Sequence, residues 1–492
     1  MKKSFDNKKY IKLQTDKILE RVKQFDGKLY IEFGGKLFDD YHASRVLKGF
    51  EIDSKVQVMR YLKKQIEVLI AISAEDIQKG KVRNDIDLTY EDDVLHLIDK
   101  FEQNNLSVGG VVITKYQNQP LANIFYNKLR NLNINVYRHY PIEGYPVNTD
   151  LVLSDNGFGK NEYAKTSHPI VIVTGPGPGS GKMATCLSQL YLDNKNGIKA
   201  GYAKYETFPI WNLPLKHPVN LAYEAATADL DDVNMIDYFH LEAYGISTVN
   251  YNRDLEVYPV LNKMFERIYD ESPYASPTDM GVNMAGFAIV DDELAIENAK
   301  QEVIRRYLDA LVYNKIGKFT ESAVNKLELI MKELDIKVED RKVVTQAVKK
   351  TQEIGVPVCA IEIGKKIITG KKSPTFTAAA ACIINALKTL AKIPDDIKLL
   401  SKNVIEPIQD LKFRQLKRNN KRLNLSNVLV SLAINATTNE MARVAIEQLP
   451  KLRGTELHSS VMIGSEDLEI LKKLGINATM GTFQDTKLLK AV

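Results

Sequence analysis

Residues 169–191, PIVIVTGPGPGSGKMATCLSQLY, hold the chemistry most legible in this chain. A short apolar run that reads as a buried strand passes into glycine at 175, 177, 179 and 181, and Lys182 opens a helical pattern. A strand–glycine loop–helix junction aims backbone N–H groups and the positive end of a helix at one point, which suits a phosphate. The candidate phosphate-binding residues are therefore Gly175, Gly177, Gly179, Ser180, Gly181, Lys182 and Met183, with Lys36, which follows Gly34-Gly35, as a further cation.

Residue counting separates this loop from two named motifs. The P-loop pattern G-x-x-x-x-G-K-[ST] is matched at Gly181-Lys182, but Pro176 stands at its first glycine and Met183 at its hydroxyl. The dinucleotide pattern G-x-G-x-x-G is matched at Gly175 and Gly177 and broken at Ser180. Without a hydroxyl at 183 magnesium loses its usual loop ligand, and Thr174, Ser180 and Thr185 are the nearby substitutes. Phosphate binding is thus better supported than nucleotide hydrolysis, with a nucleotide and magnesium as the candidate cofactors.

Other residues could complete such a site. Lys182, Arg253 and His240 are the candidate catalytic groups. Arg253 stands among Asn250, Asn252 and Asp254, and an arginine can clamp a phosphate with two parallel hydrogen bonds; the ordinary alternative is a surface ion pair. Lys204, like Lys36, falls near a strand end. His240 lies close to Asp237 and Glu242 and could act as a general base, although a hydrogen-bonded structural histidine is the commoner outcome. Phe287-Ala-Ile-Val290 reads as an apolar strand ending in Asp291, the form of a metal-binding strand end. Asp291, Asp254 and Asp279 are therefore the candidate metal ligands.

Several reaction classes are disfavoured. There is no H-E-x-x-H and no H-x-E with a C-x-x-C downstream, which argues against a zinc protease or zinc deaminase. No G-x-S-x-G elbow is present. The net charge of +5 over 492 residues is small and does not call for nucleic acid or a membrane surface as partner. The basic run 412–422, KFRQLKRNNKR, has Phe413 as its sole aromatic and reads as a solvated helix face. The three cysteines, Cys186, Cys359 and Cys382, are widely spaced and suit a reducing compartment. With no run of about 18 apolar residues and no apolar N-terminal leader, a cytoplasmic location is expected.

The elements that must position these residues alternate. Strand-like runs at 29–33, 66–72, 108–114, 136–139, 150–153, 170–173 and 199–207 are separated by helical patterns at 91–105 and 120–132, after an amphipathic N-terminal helix within 1–27. This order implies a mostly parallel, Rossmann-like or P-loop-like α/β sheet with helices on both faces, whose ligands bind beyond the carboxyl ends of the strands. The loop 208–218 carries three prolines and the single tryptophan, which excludes helix and central strand. Helices are expected at 256–269 and through 293–335. Beyond about 338 the sequence predicts a hairpin around Gly364-Lys365, a helix opened by Ser373-Pro374, and a late strand at 459–463. The resulting domains are an α/β domain at 1–255, a mainly helical segment at 256–335 and a C-terminal α/β domain at 336–492.

At these motifs the chain resembles a bacterial family designated UPF0371 or DUF1846. The resemblance runs essentially end to end through FDNKKYIKLQTDKILERV, KLYIEFGGKLFDDYHASRVLKGF, VTGPGPGSGKMATCLSQLY, ETFPIWNLPLKHPVNLAYEAATADLDDVNMID and SPTDMGVNMAGF. It implies an N-terminal α/β region, a helical part and a smaller C-terminal α/β domain, and it implies no activity. Three functional expectations follow from the residues. The first is a protein binding a phosphorylated small molecule at the glycine loop and acting as a phosphoryl or group transferase. The second is a non-catalytic ligand sensor or scaffold, and the third an enzyme centred on His240 that uses no nucleotide. Chains of this class are often homo-oligomers.

Overall fold

The computed structural model describes residues 2–35, 37, 38, 40–83, 88–230, 232–417 and 420–482. The chain packs as two compact units, one of residues 1–224 and 231–299, the other of residues 225–230 and 300–492.

The first unit opens with helix α1 (Asn7–Gln24), whose first turn is capped by the Asp6 carboxylate accepting from Lys9 N. Strand β1 (Leu29–Phe33) is followed by β2 (Ile66–Ser73), α2 (Tyr90–Gln103), β3 (Ser107–Thr114), α3 (Pro120–Asn131), β4 (Val136–Arg138), β5 (Ile170–Thr174), α4 (Lys182–Lys195) and β6 (Gly201–Tyr205). Next come α5 (Pro218–Ala226), a small antiparallel pair β7 (Asn234–Ile236) and β8 (Val249–Tyr251) that flanks α6 (Tyr238–Tyr244), then α7 (Asn252–Tyr269) and β9 (Gly281–Val282). The large sheet has the order β9-β6-β1-β5-β2-β3-β4 with every pairing parallel. Strands β2 and β5 are buried along their whole length. Their mainly apolar make-up, interrupted in β2 by the buried Glu67, has that cause: a parallel sheet covered on both faces has no polar side to alternate with.

Helix α4 is tied to the sheet by polar as well as apolar contacts. Asp193, fully buried in its last turn, accepts from Tyr30 OH at 2.8 Å and from Tyr163 OH, and pairs with Lys28 at 2.7 Å. Gln189 donates to Ala164 O at 2.8 Å and accepts from Ala164 N at 3.1 Å.

In the second unit, α8 (Asp292–Lys315, of which 300–315 belong here), α9 (Glu321–Glu333) and α10 (Lys342–Ile354) precede the hairpin β10 (Val358–Ile363) and β11 (Lys366–Lys371). Then come α11 (Ala378–Ala391), α12 (Leu425–Asn435), β12 (Glu456–Ser459), α13 (Ser465–Lys473) and β13 (Asn477–Met480). The four strands form a mixed sheet in the order β11-β10-β12-β13.

Four local expectations are corrected. Residues 150–153 are not a strand: Asn148 caps a short helix, Thr149–Val152, by accepting from Leu151 N. The segment 287–290 is not a buried strand either. Residues 285–288 form a 3₁₀ turn, Ile289 makes a single bridge to Phe5, and Phe287 and Val290 are more than half exposed. Helix α11 starts after Thr377, whose hydroxyl accepts from Ala380 N, so Pro374 lies outside its first turn. The late strand is 456–459 and ends where 459–463 was expected to begin.

Replacing Asp193 with alanine should leave Lys28 and two tyrosine hydroxyls without their shared acceptor. The expected cost is roughly 3–5 kcal/mol, the scale for breaking one side of a buried pair. Chemical denaturation should show it, and a change below about 1 kcal/mol would mean α4 is held by apolar packing alone.

Candidate functional site

The glycine loop leaves β5 at Thr174 and is pressed against the carboxyl ends of β2 and β3. A Cβ on Gly175 would lie 2.3 Å from Ala71 O, one on Gly177 2.3 Å from the Tyr90 hydroxyl, and one on Gly181 2.7 Å from the Thr114 side chain. Gly179 and Gly181 also have φ of +76° and +89°, the left-handed region that favours glycine. Thr114 Oγ1 donates to Ser180 O at 2.8 Å and pins the loop to β3. The earliest bond of α4 runs from Thr185 N to Gly181 O at 2.9 Å, so the amides of 182–184 precede the helical ladder and form its free N-terminus. Lys182 folds across the loop, donating to Gly177 O at 3.2 Å and Ser180 Oγ at 3.4 Å. Burial lowers its pKa, and Lys204 adds to the effect while Glu32 opposes it. Ser73 Oγ, at the end of β2 and fully buried, has no hydrogen-bond partner among the described residues. Of the substitutes for the magnesium hydroxyl, Thr185 donates to Gly181 O and Ser180 faces Lys182, so both are engaged within the loop.

A second set of groups lies along β1 and β6. Glu32 pairs in register with Val173 of β5 on one side and Lys204 of β6 on the other. Tyr202 OH donates to Glu32 Oε2 at 2.7 Å. The Lys204 ammonium reaches Glu206 Oε1 at 2.9 Å and Asp254 Oδ2, in the first turn of α7, at 2.5 Å. It also sits 5.7 Å from the centre of the Tyr251 ring. Burial opposes the charge of Lys204, but Asp254, Glu206 and Glu32 outweigh it and raise its pKa. The Glu206 carboxyl is pushed up to about 7, first by burial and then by Asp254 and Glu32, against the pull of Lys204. The neighbouring Cys186 is fully buried and its thiol is pushed well up, the opposite of a nucleophilic cysteine.

The remaining candidates are placed elsewhere. Arg253 is turned onto Asp232, with Nε 2.6 Å from Oδ1; its side chain is more than half exposed while Asp232 is buried. His240 Nδ1 is 2.8 Å from Ser276 Oγ and its ring lies against Tyr244; Glu242 is exposed. Asp279 accepts from Ala275 N and Tyr244 OH, and Asp291 caps α8 by accepting from Leu294 N. Among the described residues no group of three or more His, Cys, Asp or Glu is arranged to hold a metal, and Asp254, Asp279 and Asp291 each serve a different element. Lys36 lies outside the described residues. The Glu32–Lys204–Glu206 set is not singled out as a group by the sequence pattern, although a signal exists: one charged residue inside LYIEF and two inside GYAKYE, runs otherwise fit for a buried strand.

The family model described as "Domain of unknown function DUF1846, N-terminal" matches residues 3–335, and its C-terminal counterpart matches residues 339–489. The chain belongs to the DUF1846 family. It is similar to a UPF0371 protein of Streptococcus pyogenes serotype M5, 54% identical over 489 residues and 99% of each chain. It is equally similar to a UPF0371 protein of Streptococcus pneumoniae, 54% identical over 483 residues and 98% of each chain. These DUF1846 descriptions name no activity, so the functional reading rests on the site. Among the described residues no helix is long and apolar enough to cross a membrane.

The raised Glu206 pKa has a consequence for stability. Between about pH 4.5 and 7 the folded chain keeps a proton that the unfolded chain has released, so this group's contribution falls as pH rises through that window and is level outside it. In Glu206→Gln that fall should vanish. Melting temperatures of the two proteins from pH 4.5 to 7.5 should converge at the acid end and separate in favour of the variant at the neutral end. Parallel curves would contradict the assignment.

Proposed function

We propose that this protein binds a phosphorylated small molecule, a nucleotide among the candidates, with its phosphate at the mouth of the 175–182 loop. We further propose that it acts on that molecule as a group-transfer enzyme. The observation that carries the reading is the position of the loop in the sheet. The connection leaving β1 passes over β5 to β2, whereas the connection leaving β5 passes over β1 to β6. The two crossovers run in opposite directions along the sheet, and the carboxyl ends of β1 and β5, where that direction changes, are where open α/β sheets take their ligands. One side of that crevice is the start of α4, with free amides, Lys182 and the positive end of the helix. The other side supplies Glu32 and, across β6, Lys204 and Glu206. A nearly buried carboxyl that titrates near neutrality supports chemistry over mere retention of a ligand.

The His240 reading has one acid nearby, Asp279 Oδ1 at 3.8 Å from Nδ1, but Nδ1 lies closer to Ser276 Oγ at 2.8 Å and Glu242 is exposed. The loop reading is tested by calorimetry with pyrophosphate and nucleotides against wild type and Lys182→Ala. Losing one charge-assisted contact to phosphate should weaken binding about 10- to 100-fold. If nothing phosphorylated binds wild type at millimolar concentration, or if the variant binds equally well, the reading fails.

A further inference from the structure

The cluster beside the loop is unbalanced in charge. Glu32, Glu206 and Asp254 converge on Lys204, and Lys182 acts on the same group from the loop through Glu32 and Lys204. Glu206 is 7% exposed, and its backbone N donates to Val282 O at 3.1 Å, which ties the residue to the sheet edge. Its Oε1 is held by Lys204 at 2.9 Å. The titratable groups that face it are Lys204 on β6, Asp254 on α7, Glu32 on β1, Tyr223 on α5 and Tyr251 on β8. Both tyrosines stay neutral, since burial raises them, so Lys204 is the near cation for all three acids.

We propose that Glu206 is the proton-exchanging group of the phosphate site, taking up one proton from solvent when a phosphorylated ligand binds at residues 175–182. This rests on the phosphate reading of the loop. An anion at the loop mouth brings more negative charge to a set of carboxylates that share one lysine. It also draws Lys182 toward itself and away from Glu32. Both effects favour the neutral form of Glu206. A proton from solvent forms an O–H bond at a Glu206 carboxylate oxygen, the carboxylate becomes a carboxylic acid, and no electrons are transferred. The ligand class follows: an anion whose charge is met partly by the loop and partly by protonation of its neighbour. Such a site holds a proton next to the phosphate at neutral pH.

The test is calorimetry of pyrophosphate binding to wild type and Glu206→Gln at pH 7.5, in two buffers of different ionisation enthalpy. The difference between the proteins removes the protons carried by pyrophosphate and by Lys182. Wild type should take up about half a proton more per ligand, and its affinity should fall about fivefold more than that of the variant between pH 6 and pH 8. Binding with equal proton uptake in both proteins overturns this inference and leaves the loop reading standing; no binding to wild type overturns both. If the variant does not fold, infrared difference spectra of wild type carry the test. Gain of protonated-carboxyl absorption on adding pyrophosphate at pH 7.5 supports the inference, and no gain overturns it.

Discussion

The site depends on how closely the backbone of residues 175–181 approaches two neighbouring strand ends. Ala71 O, the Tyr90 hydroxyl and the Thr114 side chain occupy the space that side chains at 175, 177 and 181 would need. The chain can pass only without Cβ atoms, and at 179 and 181 it does so with positive φ. Once the Thr114 hydroxyl holds Ser180 O, the turn into α4 is fixed, and the first amides of that helix and Lys182 follow in place. The glycines at 175, 177 and 181 are thus explained by close packing, and Gly179, with open space around it, by its positive φ.

A second constraint acts on charge. Burial strengthens every electrostatic interaction around Lys204 and penalises any carboxylate left without a full counter-charge. Tyr202 satisfies Glu32 with a hydrogen bond, Lys204 divides itself between Asp254 and Glu206, and the shortfall appears at Glu206. Because Lys182 responds to the same Glu32 and Lys204, the loop and the acid share one electrostatic environment. Two features that are each ordinary in α/β proteins, a glycine turn and a buried ion pair, are joined by that coupling into the candidate site proposed above.

Much of this fold was legible from alternation. The apolar runs at 29–33, 66–72 and 108–114 are strands because both faces of the sheet are covered, and the helical patterns between them are the crossovers. Where the reading failed, a short apolar run had a local competitor: Asn148 supplied a helix cap ahead of 150–153, and the exposed Phe287 and Val290 broke the burial that a strand at 287–290 would require. The loop was readable as a glycine turn between a strand and a helix because alternate glycines and Lys182 mark that junction. The acid set was not, since Glu32, Lys204 and Asp254 come together only through strand order and the placement of α7. Arg253, the neighbour of Asp254, drew attention for its polar setting but turns to Asp232 instead.

The central claim, that the mouth of this loop receives a phosphate, is met most directly by amide chemical shifts of the isotopically labelled full chain on titration with pyrophosphate. The account predicts that the largest shifts fall on Gly177, Gly179, Gly181, Lys182 and Met183 and saturate together. Shifts concentrated in the second unit, or none in residues 175–184 while the ligand binds, would contradict it.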